Sequence, residues 1–392
     1  MPKRRVIIAA ALSVLLLIAG VGAVAQSAGQ VGTPTGTPMA TADRVQLPGW
    51  WPTKGTPARE EYAGPAACVR CHAQKAATQH ETPMAHASMM AADSDILRSH
   101  PRLTSTVGPF SFEIARGEKS SVYSVSDGKQ SSSAVLAWAF GIGEVGQTYV
   151  YERNGTFYES RLSFYKNTQA LDFSPGHPRS VPTSLENALG RPFNPGETRL
   201  CFGCHTTAST TSNRFDSSYL IPGVTCEACH GPGAEHVVAM NTSQGEQGPT
   251  FIMNPRELKP VESVEFCGAC HRTAWDVALA GSKGIYNIRF QPYRLETSRC
   301  WGDGDARLTC MACHDPHQPL VRDTAAYDQR CLSCHVTGKA AKPSSDHPGA
   351  VCPVGAKDCV TCHMPKYEIP DMHSKFTDHR IRIVQKDADS SD

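Results

Sequence analysis

Seven copies of the pentapeptide Cys-x-x-Cys-His recur along this chain of 392 residues, and they use fourteen of its sixteen cysteines. In each copy a histidine directly follows the second cysteine. Such a group can bind zinc, exchange thiols with a disulfide, or attach a haem covalently. The cysteines of the seven motifs are Cys68 and Cys71, Cys201 and Cys204, Cys226 and Cys229, Cys267 and Cys270, Cys310 and Cys313, Cys331 and Cys334, and Cys359 and Cys362.

Haem attachment explains every position of the motif. A zinc site does not require a histidine after each second cysteine, and a redox dithiol is expected once in a chain. In haem c, the two thiols bond to the vinyl groups and the adjacent histidine binds the iron. The sequence therefore predicts seven covalently attached haem c groups. The predicted proximal ligands are His72, His205, His230, His271, His314, His335 and His363.

Nine histidines lie outside the motifs, which is enough to give every haem a second axial ligand. His236 and His317 follow their own motifs so closely that each is expected to reach a neighbouring haem. His373 and His379 lie six residues apart and could serve two different haems. Methionines would compete for these positions and would raise the reduction potential of the haem that they bind. The candidates are Met84, Met89 and Met372.

The spacing of the motifs also predicts the architecture. Residues 201–363 contain six motifs, which leaves too little polypeptide to build an apolar core around each haem. We therefore expect a mostly α fold with extensive loops around a core of stacked haems. A small antiparallel β element is expected around residues 105–170, because aromatic and polar residues alternate on both sides of Asn154-Gly155, a strong hairpin signal.

These patterns predict six regions along the chain. They are a signal peptide (1–25), a flexible linker (26–57), a first haem module (58–100), a β-containing insert (101–200), a six-haem cytochrome domain (201–384) and a disordered tail (385–392).

The N-terminus predicts export. Lys3, Arg4 and Arg5 precede an apolar run that ends at Ala23-Val24-Ala25, a pattern typical of a cleaved secretory signal. An uncleaved membrane anchor is the alternative, because the run is nearly long enough to span a bilayer. The expected location is the periplasm or the cell surface. In an oxidising compartment the two remaining cysteines, Cys300 and Cys352, favour a disulfide over two free thiols.

Charge indicates the kind of partner. The formal net charge is only +1 at pH 7, but haem propionates would make the loaded protein acidic. We therefore expect redox partners with basic docking patches, whose binding weakens with salt. Nothing in the sequence indicates a nucleic-acid partner. We expect no association with the membrane after signal cleavage.

Several segments resemble the cytochrome c-554 family, which shares haem-packing motifs with octahaem hydroxylamine oxidoreductases and pentahaem nitrite reductases. They are GVTCEACHGPGAEHV, RLTCMACHDPH, CPVGAKDCVTCHMPK and FTDHRIRI, together with the less similar YAGPAACVRCH and TPMAHAS. The resemblance implies distal iron ligands at His236 and His317, and also at His86, His177, His373 and His379. It leaves open which of His80, His100 and His347 is a seventh.

The chain departs from both enzyme relatives. It has no Cys-x-x-Cys-Lys motif, which the nitrite reductases use, and it has seven motifs rather than eight. The favoured function is electron transfer through closely packed, mostly bis-histidine haems. Whether the protein is an enzyme stays open: one haem with an open site could act on nitrogen or sulfur oxyanions or on hydroxylamine. A subunit of a conductive cytochrome filament is the third possibility.

Overall fold

The structure is a computed structural model that describes residue 41 and residues 59–211, 214–242, 251–298, 300–301, 307–335, 355 and 357–384. The predicted signal peptide, the predicted tail, His347 and Cys352 lie outside these residues, so the Cys300–Cys352 disulfide stays a prediction. Thr41 belongs to the predicted linker. It is buried, and its hydroxyl donates to Oδ2 of Asp276 over 2.6 Å.

The largest element is an antiparallel sheet between the first and second haem motifs. Its ten strands are β1 (Ser88–Met90), β2 (Arg102–Val107), β3 (Phe110–Arg116), β4 (Ser121–Ser126), β5 (Ser131–Phe140), β6 (Gly146–Arg153), β7 (Thr156–Ser160), β8 (Leu162–Tyr165), β9 (Ala170–Phe173) and β10 (Gly190–Pro192). Seven of them lie side by side in the order β10-β7-β6-β5-β4-β3-β2. Strand β1 pairs with β5, and β8 pairs with both β6 and β9.

Alternation of apolar and polar residues gives this sheet a core of its own. In β3, Phe110, Phe112 and Ile114 are buried while the residues between them are more exposed. Tyr123 and Val125 of β4 are buried in the same way, and all five residues belong to one apolar cluster. A sheet that buries one apolar face in this manner does not depend on a cofactor for its packing.

The predicted hairpin is confirmed. Strands β6 and β7 pair across Asn154 and Gly155, with Arg153 opposite Thr156. Both turn residues have positive φ, 51° and 75°, as the tight turn between two antiparallel strands requires.

The prediction of a mostly α fold was wrong. Instead of a small β element around residues 105–170, the region between the first two motifs forms a ten-stranded sheet. Haem attachment needs only about one turn of helix, and several motif helices are four or five residues long. The motifs therefore contribute little helix, whereas the alternating segments continue to Pro192.

Twelve α-helices occur in the described residues. They are α1 (Pro65–His80), α2 (Asp95–Ser99), α3 (Leu185–Leu189), α4 (Pro195–His205), α5 (Cys226–His230), α6 (Ala234–Asn241), α7 (Pro260–His271), α8 (Ala274–Ala280), α9 (Gln291–Glu296), α10 (Cys310–Cys313), α11 (Asp328–Leu332) and α12 (Cys359–His363). Three short antiparallel pairs complete the fold: β11 (Thr206–Thr207) with β14 (Ile221–Pro222), β12 (Thr210–Thr211) with β13 (Arg214–Phe215), and β15 (Lys366–Ile369) with β16 (Ser374–Thr377).

The region that carries six of the motifs has little apolar core. Among its described residues, the buried apolar cluster consists of Val264, Leu295 and Trp301. The expectation that haem groups supply much of the packing there stays a prediction.

Candidate haem sites

All seven motifs lie in the described residues, and each one includes or adjoins a helix. Motifs one to seven, numbered in chain order, fall in α1, at the end of α4, in α5, at the end of α7, in α10, at the end of α11 and in α12. One helical turn places residues three and four apart on the same face, so both cysteines and the histidine can face one ring. The local structure therefore fits haem attachment.

Cysteines of different motifs lie against each other. Three pairs of thiols are close enough to hydrogen-bond: Cys68 with Cys226, Cys267 with Cys310, and Cys331 with Cys359. The hydrogen bond from Cys68 lowers the pKa of the Cys226 thiol to about 7. These contacts bring motif one beside motif three, four beside five, and six beside seven.

Weaker contacts connect these pairs of motifs. The Sγ atom of Cys204 in motif two lies 3.6 Å from the carbonyl oxygen of Ala269 in motif four. Cys229 of motif three is near enough to Cys267 of motif four to raise the pKa of its thiol, after the larger effects of Cys310 and burial. Every motif thus has at least one other motif as a neighbour.

Three motif histidines face a histidine from elsewhere in the chain. The ring centres of His72 and His236 are 6.3 Å apart, with 19° between the ring planes. Two imidazoles that bind one iron from opposite faces would have centres about 6 Å apart, given metal–nitrogen bonds of about 2 Å. The other two pairs are His230 with His317, at 5.9 Å and 16°, and His314 with His379, at 6.3 Å and 39°.

Backbone carbonyls orient several motif histidines for metal binding. The Nδ1 atom of His205 lies 2.9 Å from the carbonyl oxygen of Ala87, and that of His230 lies 2.7 Å from the carbonyl oxygen of Met253. A carbonyl can only accept, so Nδ1 carries the proton and Nε2 keeps its lone pair for a metal. His363 is held in the same way by a backbone carbonyl, at 2.9 Å.

Burial keeps three of these histidines in the neutral form that binds metals. It is the main cause that lowers the pKa of His230 and of His314. For His379, burial lowers the pKa to about 4, so this imidazole is uncharged at neutral pH. These side chains therefore fit the role of iron ligands without losing a proton on binding.

The segment before His379 is held by a buried ion pair. Asp378 accepts from Nε and Nη2 of Arg294 over 2.8 and 2.9 Å, and both side chains are at most 1% exposed. Ser298 in turn donates to the carbonyl oxygen of His379 over 3.2 Å. This paired hydrogen bonding positions His379 opposite His314.

A buried carboxylate connects motif one to motif three. Oε1 of Glu227, inside motif three, accepts from the backbone N–H groups of Ala63 and Gly233, and Oε2 accepts from that of Gly64. Gly64 directly precedes α1, which carries His72, and Gly233 directly precedes α6, which carries His236. Glu227 therefore helps to place both members of this histidine pair.

The structure brings the other predicted ligands to oxygen atoms instead. The Nε2 atom of His86 lies 2.7 Å from the carbonyl oxygen of His80. That of His177 lies 3.2 Å from Glu159, and that of His373 lies 2.7 Å from Asp172. His100 uses both ring nitrogens for hydrogen bonds within the sheet region. The ring of His205 stacks on that of Phe140, with 5.0 Å between the ring centres.

Sequence reasoning did not single out Glu227, Arg294 or Asp378. Each acts through partners distant in the chain; Ala63 and Glu227, for example, are 164 positions apart. A charged residue at an otherwise variable motif position is a weak signal, and only its burial shows its role.

None of the helices in the described residues combines the length and the apolar character of a membrane span.

Comparisons with known proteins agree with the motifs. The family described as "Cytochrome c554 and c-prime" matches residues 165–231. The "Multiheme cytochrome MtrA" of Shewanella baltica (strain OS185) is 24% identical over 211 residues, which cover 49% of this chain. The match covers 55% of that protein, so the chain spans about half the length of the curated relative.

One solved structure is also similar, the "Crystal Structure of Outer Cell Wall Cytochrome OcwA". It has a TM-score of 0.46 and 15% sequence identity, and the match covers 83% of this chain and 80% of that one. From its own motifs and the two sequence matches, the chain is a multihaem c-type cytochrome that resembles the cytochrome c-554 family.

Proposed function

We propose that this protein is an exported relay of seven covalently attached haems that passes electrons between redox partners. The observation that carries the proposal is the contact between motifs that are distant in sequence. Haems attached to touching cysteines must themselves lie close together, and electrons pass between cofactors only over short distances. The partial likeness to a multihaem cytochrome supports the same reading.

The motif contacts suggest a spatial order for the haems. Motif one is beside three, four is beside five, and six is beside seven, through the thiol pairs described above. Cys229 connects motif three to four, and Cys331 connects motif six to five by its effect on Cys313. The proposed order is therefore one, three, four, five, six and seven, with motif two beside four.

The facing histidines support filled axial sites for at least three haems. We propose that His236, His317 and His379 are the distal ligands of the haems whose proximal ligands are His72, His230 and His314, respectively. Iron with two histidine ligands is low-spin and has no position for a substrate. The distal role of His86, His177 and His373 stays a prediction. In the structure, the Nε2 atom of each lies against an oxygen atom.

Location and partners follow from the same chemistry. Attached haem c and the predicted signal peptide favour the periplasm or the cell surface. Haem propionates would make the surface of the loaded protein acidic, so we propose donor and acceptor proteins with basic docking patches.

The test is electron paramagnetic resonance of the oxidised loaded protein, with the haems counted as pyridine haemochromes. We expect seven haems, and no spectral change with nitrite or hydroxylamine. His236→Ala should convert one low-spin haem to high-spin. Glu235→Ala is the matched control, since Glu235 is exposed and adjoins His236 on the same helix. A His236→Ala spectrum identical to that of the wild type would reject the axial assignment, and fewer haems would reject the relay of seven.

A further inference from the structure

A cavity beside motif four has an unusual lining. Its volume is about 220 Å³, and Cys270, His271, Arg272, Arg289 and Phe290 line it. Cys270 and His271 belong to the motif, so the cavity lies where the proposed haem of motif four would be attached. Two arginines therefore line this haem position.

Arg289 is a half-buried cation without a carboxylate partner in the described residues. Its Nε atom is buried and makes no hydrogen bond, and its Nη1 atom lies 3.6 Å from Sδ of Met372. The guanidinium lies over the ring of Phe290, 5.1 Å from the ring centre. Burial, and then repulsion from Arg272, lowers the pKa of Arg289.

The nearby carboxylates are bound to other groups. Asp371 accepts from the hydroxyl of Tyr286 over 2.5 Å and lies 3.5 Å from Arg179. Asp172 pairs with Arg179 over 2.8 Å and with His373 over 2.7 Å. Neither carboxylate forms an ion pair with Arg289. Arg272 is 50% exposed and reaches Asp276 only over 4.0 Å.

A buried charge without a partner is costly, and proteins normally provide it with an opposite charge. The planar guanidinium group is suited to bind two oxygens of one anion. We propose that Arg289, assisted by Arg272, binds an anionic oxygen group in the haem pocket of motif four. The inference rests on the proposed attachment of a haem at His271. The anion has two possible sources, a propionate of a haem in this protein or a soluble oxyanion.

Such a pair would affect the electron relay. Reduction of a haem adds one negative charge to the iron site, and a fixed positive charge nearby favours that step. Arg289 would therefore raise the reduction potential of the haem of motif four. This haem is in the middle of the proposed order, beside motifs two, three and five, where a high potential would hold an electron that arrives from any of them.

The test is a potentiometric titration of the loaded protein at constant ionic strength, with and without nitrite or phosphate. The variants are Arg289→Gln and Arg289→Lys, with Arg102→Gln as the charge-matched control, since Arg102 pairs with Glu113 in the sheet. We expect Arg289→Gln to move a single haem to lower potential, or to lose it. Arg289→Lys should keep the wild-type titration, and so should Arg102→Gln.

The two sources give different results. A shift that does not depend on added anion assigns a haem propionate. A wild-type titration that responds to nitrite or phosphate, with the response lost in Arg289→Gln, assigns a soluble oxyanion. The proposal is overturned if Arg289→Gln titrates like the wild type in every buffer, or if Arg289→Lys shifts as far as Arg289→Gln. In either case, the proposed relay stands if all seven haems of the wild-type protein can be reduced. A wild-type protein that lacks some of its haems would reject the relay itself.

Discussion

Replacement of Glu227 by Gln isolates the contact that joins motif one to motif three. The side chain is 1% exposed and accepts three backbone N–H groups. Its distances are 2.8 Å to Ala63 N, 2.9 Å to Gly64 N and 2.9 Å to Gly233 N. The substitution keeps the shape of the side chain and removes both the charge and one acceptor oxygen.

The expected cost follows from these three bonds. Glutamine can place its one oxygen toward Ala63 and Gly233, but its amide nitrogen then faces the N–H of Gly64. One charge-assisted hydrogen bond is lost, worth about 1.5–3 kcal/mol, and one buried donor is left without a partner. We expect the free energy of unfolding to fall by about 2–4 kcal/mol.

The measurement is guanidinium chloride unfolding of the loaded protein, followed by its haem absorbance. Glu60→Gln is the matched control, because Glu60 is exposed and its replacement removes the same charge. The control should change the stability by less than about 0.5 kcal/mol. We also expect Glu227→Gln to change the electron paramagnetic resonance signal of one low-spin haem, since His72 and His236 are both positioned through this carboxylate. Equal stability of the two variants would refute the reasoning.

Three further predictions use the same loaded protein. Arg294→Met should lower the free energy of unfolding by about 3–5 kcal/mol, because it leaves the Asp378 carboxylate buried without its main partner. Denaturant unfolding measures this change, and a loss below about 1 kcal/mol would contradict the prediction. Burial opposes ionisation of Asp378, but the hydrogen bonds from Arg294, Arg380 and Arg382 and the charge of Arg294 together outweigh it and lower the pKa of the carboxyl. The stability that ionised Asp378 contributes is therefore complete above the pKa of the unfolded state, about 3.9, and is lost as the pH falls below it. Wild type should lose more stability than Arg294→Met between pH 5 and 3, as acid titrations of both can show. Gly223→Ala should lower the thermal midpoint, because a Cβ atom there would meet the carbonyl oxygen of Ala85 at a residue with φ of 76°; an unchanged midpoint would show that the backbone can move apart.

Short-range features of this protein were predictable from its sequence. The motif spacing specifies haem attachment because two cysteines and a histidine within one helical turn suffice for the covalent and axial bonds. The hairpin at Asn154-Gly155 was predictable for the same reason, since its two positive φ angles depend on the turn residues alone. In the structure, His236 and His317 lie opposite His72 and His230, which belong to other motifs, and their ligation of iron stays a prediction.

The size of the sheet was not predicted, because each strand is short and its pairing depends on partners elsewhere. Apolar and polar residues alternate clearly in β6 and β7. In the segments from Arg102 onward, the same alternation identifies strands only once their common apolar core is known. Strand assignment depends on such context more than helix assignment does.

The arrangement of the motifs was decided only by the tertiary structure. The sequence supplies seven Cys-x-x-Cys-His motifs, and it does not say that Cys68 meets Cys226 or that His379 faces His314. The carboxylate of Glu227 likewise acquires its role from burial and from distant partners, and Arg289 acquires its proposed role from the cavity that it lines. Covalent attachment is specified by neighbours along the chain, whereas the proximity of one haem to the next depends on which distant segments pack together. For this reason the chemistry of the cofactor can be read from the sequence, and the route between cofactors requires the fold.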